Sequence, residues 1–150
     1  MNIKVLFIFF ALVLFIGVNL SANTAPAEEQ ICGKWKSPEV NIVVQIYKAD
    51  NKFKAEIVSF HPADGKPMEE CTDCNNPDMS LRCRKILGMN VLEDMNYNGQ
   101  THSWEDGTIY DAQSGKKWSA SAFIDKDGTL KVKGYWHFKL IGRTLTFSRL

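Results

Sequence analysis

The sequence predicts an all-β fold: an antiparallel meander of about eight short strands that closes into a barrel. Three observations carry that expectation. Apolar and polar residues alternate with a period of two in run after run. Turn residues separate the runs at short intervals. No segment carries a helical stripe, and no internal repeat or low-complexity tract breaks the pattern. Closure is favoured because it removes unpaired strand edges. An open sandwich has the same periodicity and remains the alternative.

The chain has 150 residues, and its opening segment lies outside the expected fold. Residues 1–22 read as a secretory signal peptide. Lys4 supplies a short positive start, residues 5–20 are apolar except for Gly17 and Asn19, and Ser21-Ala22 follow. Ala25 and Ala27 are later cleavage candidates. The apolar run falls short of the roughly 20 residues that span a bilayer, so cleavage is expected rather than anchoring. Cys32 stands too far behind the run to be a lipid-modified first residue. A secreted or periplasmic location follows. Residues 23–30 are expected to be a flexible mature N-terminus, and residues 31–150 the barrel domain.

Within that domain the strands follow in order. Ile42, Val44 and Ile46 alternate with Val43, Gln45 and Tyr47, and Asp50-Asn51 turns the chain into Phe53-Lys54-Ala55-Glu56-Ile57. Leu87, Met89 and Val91 alternate before the hairpin signal Asn98-Gly99. Residues 104–118 read as a strand, a tight turn and the start of another strand, with Asp106-Gly107 as a turn or bulge. Trp118, Ala120, Ala122 and Ile124 form the next face. Asp127-Gly128 leads into Leu130, Val132, Gly134, Trp136 and Phe138. Leu145, Phe147 and Arg149 form the last strand. Residues 61–84 break the rhythm with three prolines, two Cys-Thr-Asp-Cys thiols and a third cysteine. A connection that long in a small domain is commonly functional or tethered.

The formal net charge is +1, and losing Lys4 with the leader removes it. Charges are interspersed without a basic tract, which argues against a nucleic-acid partner.

Several stretches resemble a family of small exported β-barrels known as domain of unknown function 2147. They are Gly33-Lys34-Trp35; Asn76-Pro77-Asp78 with Leu81-Arg82, Arg84 and Leu87-Gly88; residues 104–118; and Leu130, Gly134-Tyr135 and Arg149. The matches span nearly the whole mature chain. Ala112 stands where the family has proline, Trp118 where tyrosine is usual, and Phe147 where tryptophan is usual. The resemblance implies a small exported, lipocalin-like barrel and assigns no activity. Lipocalin-type barrels likewise carry glycine-x-tryptophan on the first strand and an arginine late in the last. Trp35 and Arg149 are therefore expected to close the barrel, the guanidinium lying over the indole.

Cys32, Cys71, Cys74 and Cys83 are expected to form structural disulfides in an exported protein. Four cysteines allow three pairings, and Cys71–Cys74 with Cys32–Cys83 is preferred. Glu69, Glu70 and Asp73 disfavour a thiolate and so a redox dithiol. One close cysteine pair is too few for a zinc site. Arg82 and Arg84 share a face in an extended segment. They either clamp an anionic ligand group or pin the long loop to the barrel through Asp78, Asp106 or Asp111. The pinning role is favoured. Trp104, Tyr110, Trp118 and Trp136 either line a cavity or fill the core; Ala120, Ala122 and Gly134 leave room beside the last two indoles. His61, His102 and His137 are scattered, and no catalytic group, metal or cofactor is assigned.

The functional expectation is non-covalent binding of a small apolar or amphipathic ligand. Arg82 and Arg84 would meet its anionic end, and Trp104, Tyr110, Trp118 and Trp136 its apolar part. A structural or protein-interaction module of the cell envelope, with a solid core, is the alternative. Enzymatic activity is the least supported.

Overall fold

The structure of the chain, a computed structural model, describes residues 25–150. The expected leader at 1–22 lies outside the described residues.

Eight strands run antiparallel: β1 (Gly33–Ser37), β2 (Ile42–Ala49), β3 (Lys52–Phe60), β4 (Asn90–Asn98), β5 (Ser103–Asp111), β6 (Lys116–Ile124), β7 (Leu130–Tyr135) and β8 (Gly142–Arg149). Each pairs with the next, and β1 pairs with β8 through Trp35↔Arg149 and Lys36↔Ser148. The sheet is a closed barrel, not an open sandwich.

The register assigns every connection to one of two ends. The start of β1, the end of β8 and the turns after β2, β4 and β6 share one end. The turns after β1, β5 and β7 share the other end with the long 61–89 connection. We call these the plug end and the loop end.

At the plug end, Ala27–Ile31, which includes the last residues of the segment expected to be flexible, form a 3-10 turn laid across the barrel. Ile31 is fully buried in the core, and the Trp104 indole donates to the Glu28 carbonyl at 3.0 Å. One buried isoleucine and carbonyls offered to indoles hold this segment in place.

The interior is packed with side chains. Trp35, Ile46, Phe53, Met95, Trp104 and Leu130 are all essentially inaccessible to solvent. Phe53 and Trp104 meet edge to face with centroids 6.3 Å apart. Ala120 and Ala122 belong to this same cluster, so the room they leave is occupied by their neighbours.

The Asp106-Gly107 feature is a bulge in β5. The register shifts between Trp104 and Gly107, and Asp106 takes a positive φ of 59°. Glycine is needed at 107 because a Cβ there would run into the Met95 side chain. The Asp50-Asn51 turn has positive φ at both residues, as a tight hairpin requires. β7 is shorter than the alternation suggests. It stops at Tyr135, and Trp136 and Phe138 are 58% and 69% exposed rather than inward.

Candidate functional site

The 61–89 connection is tied to the barrel by one buried carboxylate. Thr72 forms an isolated antiparallel bridge with Lys85, and Asp73 N–H donates to the Arg84 carbonyl at 2.9 Å. This pairing sets Asp73 and Arg84 side by side, with Asp73 buried and Arg84 reaching it from the surface. Asp73 is fully buried. Its Oδ1 accepts from Tyr110 Oη at 2.7 Å. Its Oδ2 accepts from Asn76 Nδ2 at 2.7 Å and from Arg84 Nη2 at 2.8 Å. Burial raises the Asp73 pKa, but the bonds from Tyr110, Asn76 and Arg84 outweigh it and hold the carboxyl below its usual range. Burial and the bond to Asp73 push the Tyr110 hydroxyl up to about 12.

Arg82 is also committed to the loop: its Nε donates to the Asn76 carbonyl at 2.8 Å. Both arginines therefore bond within the loop, and Arg84 reaches the barrel only through Asp73 and Tyr110. The carboxylate that receives Arg84 is Asp73, not Asp78, Asp106 or Asp111. Asp78 instead caps a 3-10 turn through Ser80, and Asp111 accepts from Gln113 N–H and Ser114 Oγ in the β5–β6 turn. The same turn receives the loop. Asn75 Nδ2 donates to the Gln113 carbonyl at 2.8 Å. Gly115 is at φ 67°, and any Cβ there would meet the Asn75 carbonyl.

At the plug end, β1 and β8 meet through Trp35 and Arg149. The Arg149 guanidinium lies over the Trp35 ring at 4.2 Å. It also donates to the carbonyls of Cys32 and Gln30, and Trp35 Nε1 donates to the Ile31 carbonyl at 2.7 Å.

The four cysteines are free thiols in the structure. Cys32 lies at the plug end, whereas Cys71, Cys74 and Cys83 lie in the connection at the loop end. The preferred Cys32–Cys83 pairing would have to bridge the barrel's length. A disulfide needs Cα atoms within about 7 Å, and a nine-residue strand is several times longer. Burial raises the Cys32 thiol pKa, with Glu29 adding to the effect. Among the described residues, no group of three or more His, Cys, Asp or Glu side chains is placed to hold a metal ion.

Of the aromatic candidates, Trp104 and Tyr110 are buried with their polar atoms satisfied. Trp118 and Trp136 are brought together elsewhere. Continuing the β6–β7 register sets them directly opposite, and their rings meet edge to face at 5.7 Å. With Lys116 and Lys117 they line an open cleft of about 510 Å³ at the loop-end rim. Beside it, the β7–β8 connection (136–141) folds back over the outer face of the sheet. There Lys139 pairs with Glu105 of β5 at 2.8 Å.

These features meet the comparisons with known proteins. A family model described as "uncharacterized protein conserved in bacteria (DUF2147)" matches residues 33–149. The chain belongs to this family. The solved structure of protein HP1028 from the human pathogen Helicobacter pylori, described as belonging to the lipocalin family, is similar to the DUF2147 chain. The two share 26% identity with a TM-score of 0.68, over 79% of this chain and 82% of that one. No curated protein matches. The fold is a lipocalin-like barrel. Among the described residues, no helix is long and apolar enough to cross a membrane.

Proposed function

We propose that this protein is exported and binds a small amphipathic molecule non-covalently at the loop-end rim, outside the packed interior. One observation carries the reading: the paired indoles of Trp118 and Trp136 form an open cleft with Lys116 and Lys117 beside it. The indoles offer apolar contact, and the ammonium groups offer charge to an anionic end. Small-molecule binding accords with the lipocalin-like fold, although a fold does not fix a function. Export rests on the leader pattern of residues 1–22.

Titration of tryptophan fluorescence with fatty acids and their neutral alcohols tests the binding. Trp118→Ala is expected to weaken both series alike. Replacing Lys116 and Lys117 by glutamine is expected to weaken the acids more than the alcohols. Absence of a saturable signal in either series would end the reading. The packed core also fits the second reading, an interaction module of the cell envelope, because the exposed apolar side chains of 136–141 then have a use.

A further inference from the structure

The β7–β8 connection is unusual for a turn. Trp136, Phe138, Leu140 and Ile141 are 58%, 69%, 94% and 72% exposed, so four large apolar side chains within six residues face water. Contiguous exposed apolar surface of this kind marks an interaction site. The fold holds the segment in that presentation. β8 begins at Gly142 opposite Tyr135, which forces the chain to reverse within six residues. Phe138 N–H donates to the Trp136 carbonyl at 2.7 Å and Ile141 N–H to the Phe138 carbonyl at 3.1 Å. The Lys139–Glu105 ion pair clamps the segment onto the outer face.

The surrounding charge is one-sided. β6, β7 and β8 carry Lys116, Lys117, Lys133 and Arg143 in their loop-end and middle stretches and no carboxylate of their own; among the described residues the one acid bonded to them is Glu39, whose carboxylate accepts from the Thr146 N–H. The nearby Glu105 is already engaged by Lys139, whose bond lowers its pKa. In a chain with almost no net charge, these four cations share the flank that bears the apolar segment.

We propose that this flank docks on a lipid bilayer containing anionic headgroups, with Phe138, Leu140 and Ile141 entering the interface. Trp136 sits at the base of the segment, where an amphipathic indole suits the headgroup level. The lysines and Arg143 supply attraction to anionic lipid. Apolar insertion and electrostatic attraction together are the two terms that hold peripheral proteins on membranes. The proposal goes beyond ligand binding in the rim cleft and does not depend on it.

Vesicle co-sedimentation tests it, using phosphatidylcholine alone and phosphatidylcholine mixed with phosphatidylglycerol. The wild-type protein is expected to pellet with the mixed vesicles and not with the neutral ones, with a blue shift in tryptophan emission. Replacing Phe138, Leu140 and Ile141 together by serine should lower the vesicle affinity about tenfold or more. The exposed positions leave the fold intact, which thermal unfolding checks. Lys133→Glu with Arg143→Glu should have a similar effect and remove the dependence on phosphatidylglycerol. The Trp118→Ala variant should still pellet while losing amphiphile binding, so failure of one idea is separable from failure of the other. No binding to mixed vesicles would overturn the proposal. So would binding that the serine variant leaves unchanged, or a dimer dissolved by those serines in a protein that ignores vesicles.

Discussion

Replacing Asp73 by leucine is the sharpest perturbation of this structure, because one buried carboxylate serves three donors. Leucine keeps the bulk and leaves Tyr110, Asn76 and Arg84 without their acceptor. Tyr110 and Asn76 are buried, so each orphaned group costs about 1–2 kcal/mol. The Arg84 side chain is 39% exposed and recovers water, which limits its share to about 1 kcal/mol. The total is about 4 kcal/mol. For a domain of this size that lowers Tm by roughly 12–20 °C. Asp73→Asn is the control. Its amide can turn so that the oxygen accepts from Asn76 and Arg84 while the NH2 donates to Tyr110 Oη, and the expected cost is about 1 kcal/mol. The two variants also separate by pH. The Asp73 carboxyl titrates lower in the folded chain than in the unfolded one, so its contribution is fully present above the unfolded value near pH 4. It is lost as pH falls through the folded value. Asp73→Asn should lack this acid-sensitive portion. Thermal melts from acid to neutral pH, with hydrogen exchange at the Asp73 and Ile86 amides, read both effects. A leucine variant within about 1 kcal/mol of wild type, or an asparagine variant equally damaged, would refute the latch.

Three further outcomes follow from the geometry. Tyr110 should ionise only near pH 12. Because its folded pKa is raised, its contribution is complete below the unfolded value near 10 and lost as pH climbs to 12, which tyrosinate absorbance alongside circular dichroism detects. Trp35→Ala should cost about 3–5 kcal/mol by emptying a fully buried site, and Arg149→Ala about 1–2 kcal/mol, because it removes the contact over the indole while water replaces its bonds to exposed carbonyls; unchanged melting in either would count against the closing contact. Oxidation of the folded protein should join cysteines within the 61–89 connection and spare Cys32, as peptide mapping after alkylation would show; a Cys32–Cys83 crosslink would overturn the barrel topology.

The strands were legible because each buries one face, and period-2 alternation is the direct trace of that burial. The Trp35–Arg149 closing contact was legible only through the resemblance of the first and last strands to lipocalin-type barrels. The latch was not. Residues 61–89 have no period, so the Thr72↔Lys85 register that brings Asp73 to Arg84 leaves no trace in the sequence. In the sequence Asp73 stands only as a negative charge between two cysteines. Its one available signal was the lone acid of the Cys-Thr-Asp-Cys stretch facing an arginine pair of unassigned partner. Trp136 and Phe138 misled for the opposite reason. They continue the alternation of β7 beyond the point where pairing with Gly142 ends the strand.

The filled interior changes where function can reside. At the plug end, Ile31 and the Glu28 carbonyl occupy the space over Trp104. At the loop end, the long connection brings Asp73 onto Tyr110, and Ile57, Met89 and Tyr110 form a second small core beneath it. The polar atoms of Trp104 and Tyr110 are spent on these closures, and Arg82 and Arg84 each commit one guanidinium nitrogen to the loop. A ligand competing for the Tyr110 hydroxyl or for the Asp73 carboxylate would have to displace a buried hydrogen bond, at a cost of about 1–3 kcal/mol for each group left unpaired. The indoles of Trp118 and Trp136 carry no such commitment, and the lysines beside them form no ion pair among the described residues. Binding on this barrel is therefore least opposed on the outer rim of β6 and β7, where contact need not undo what closes the fold.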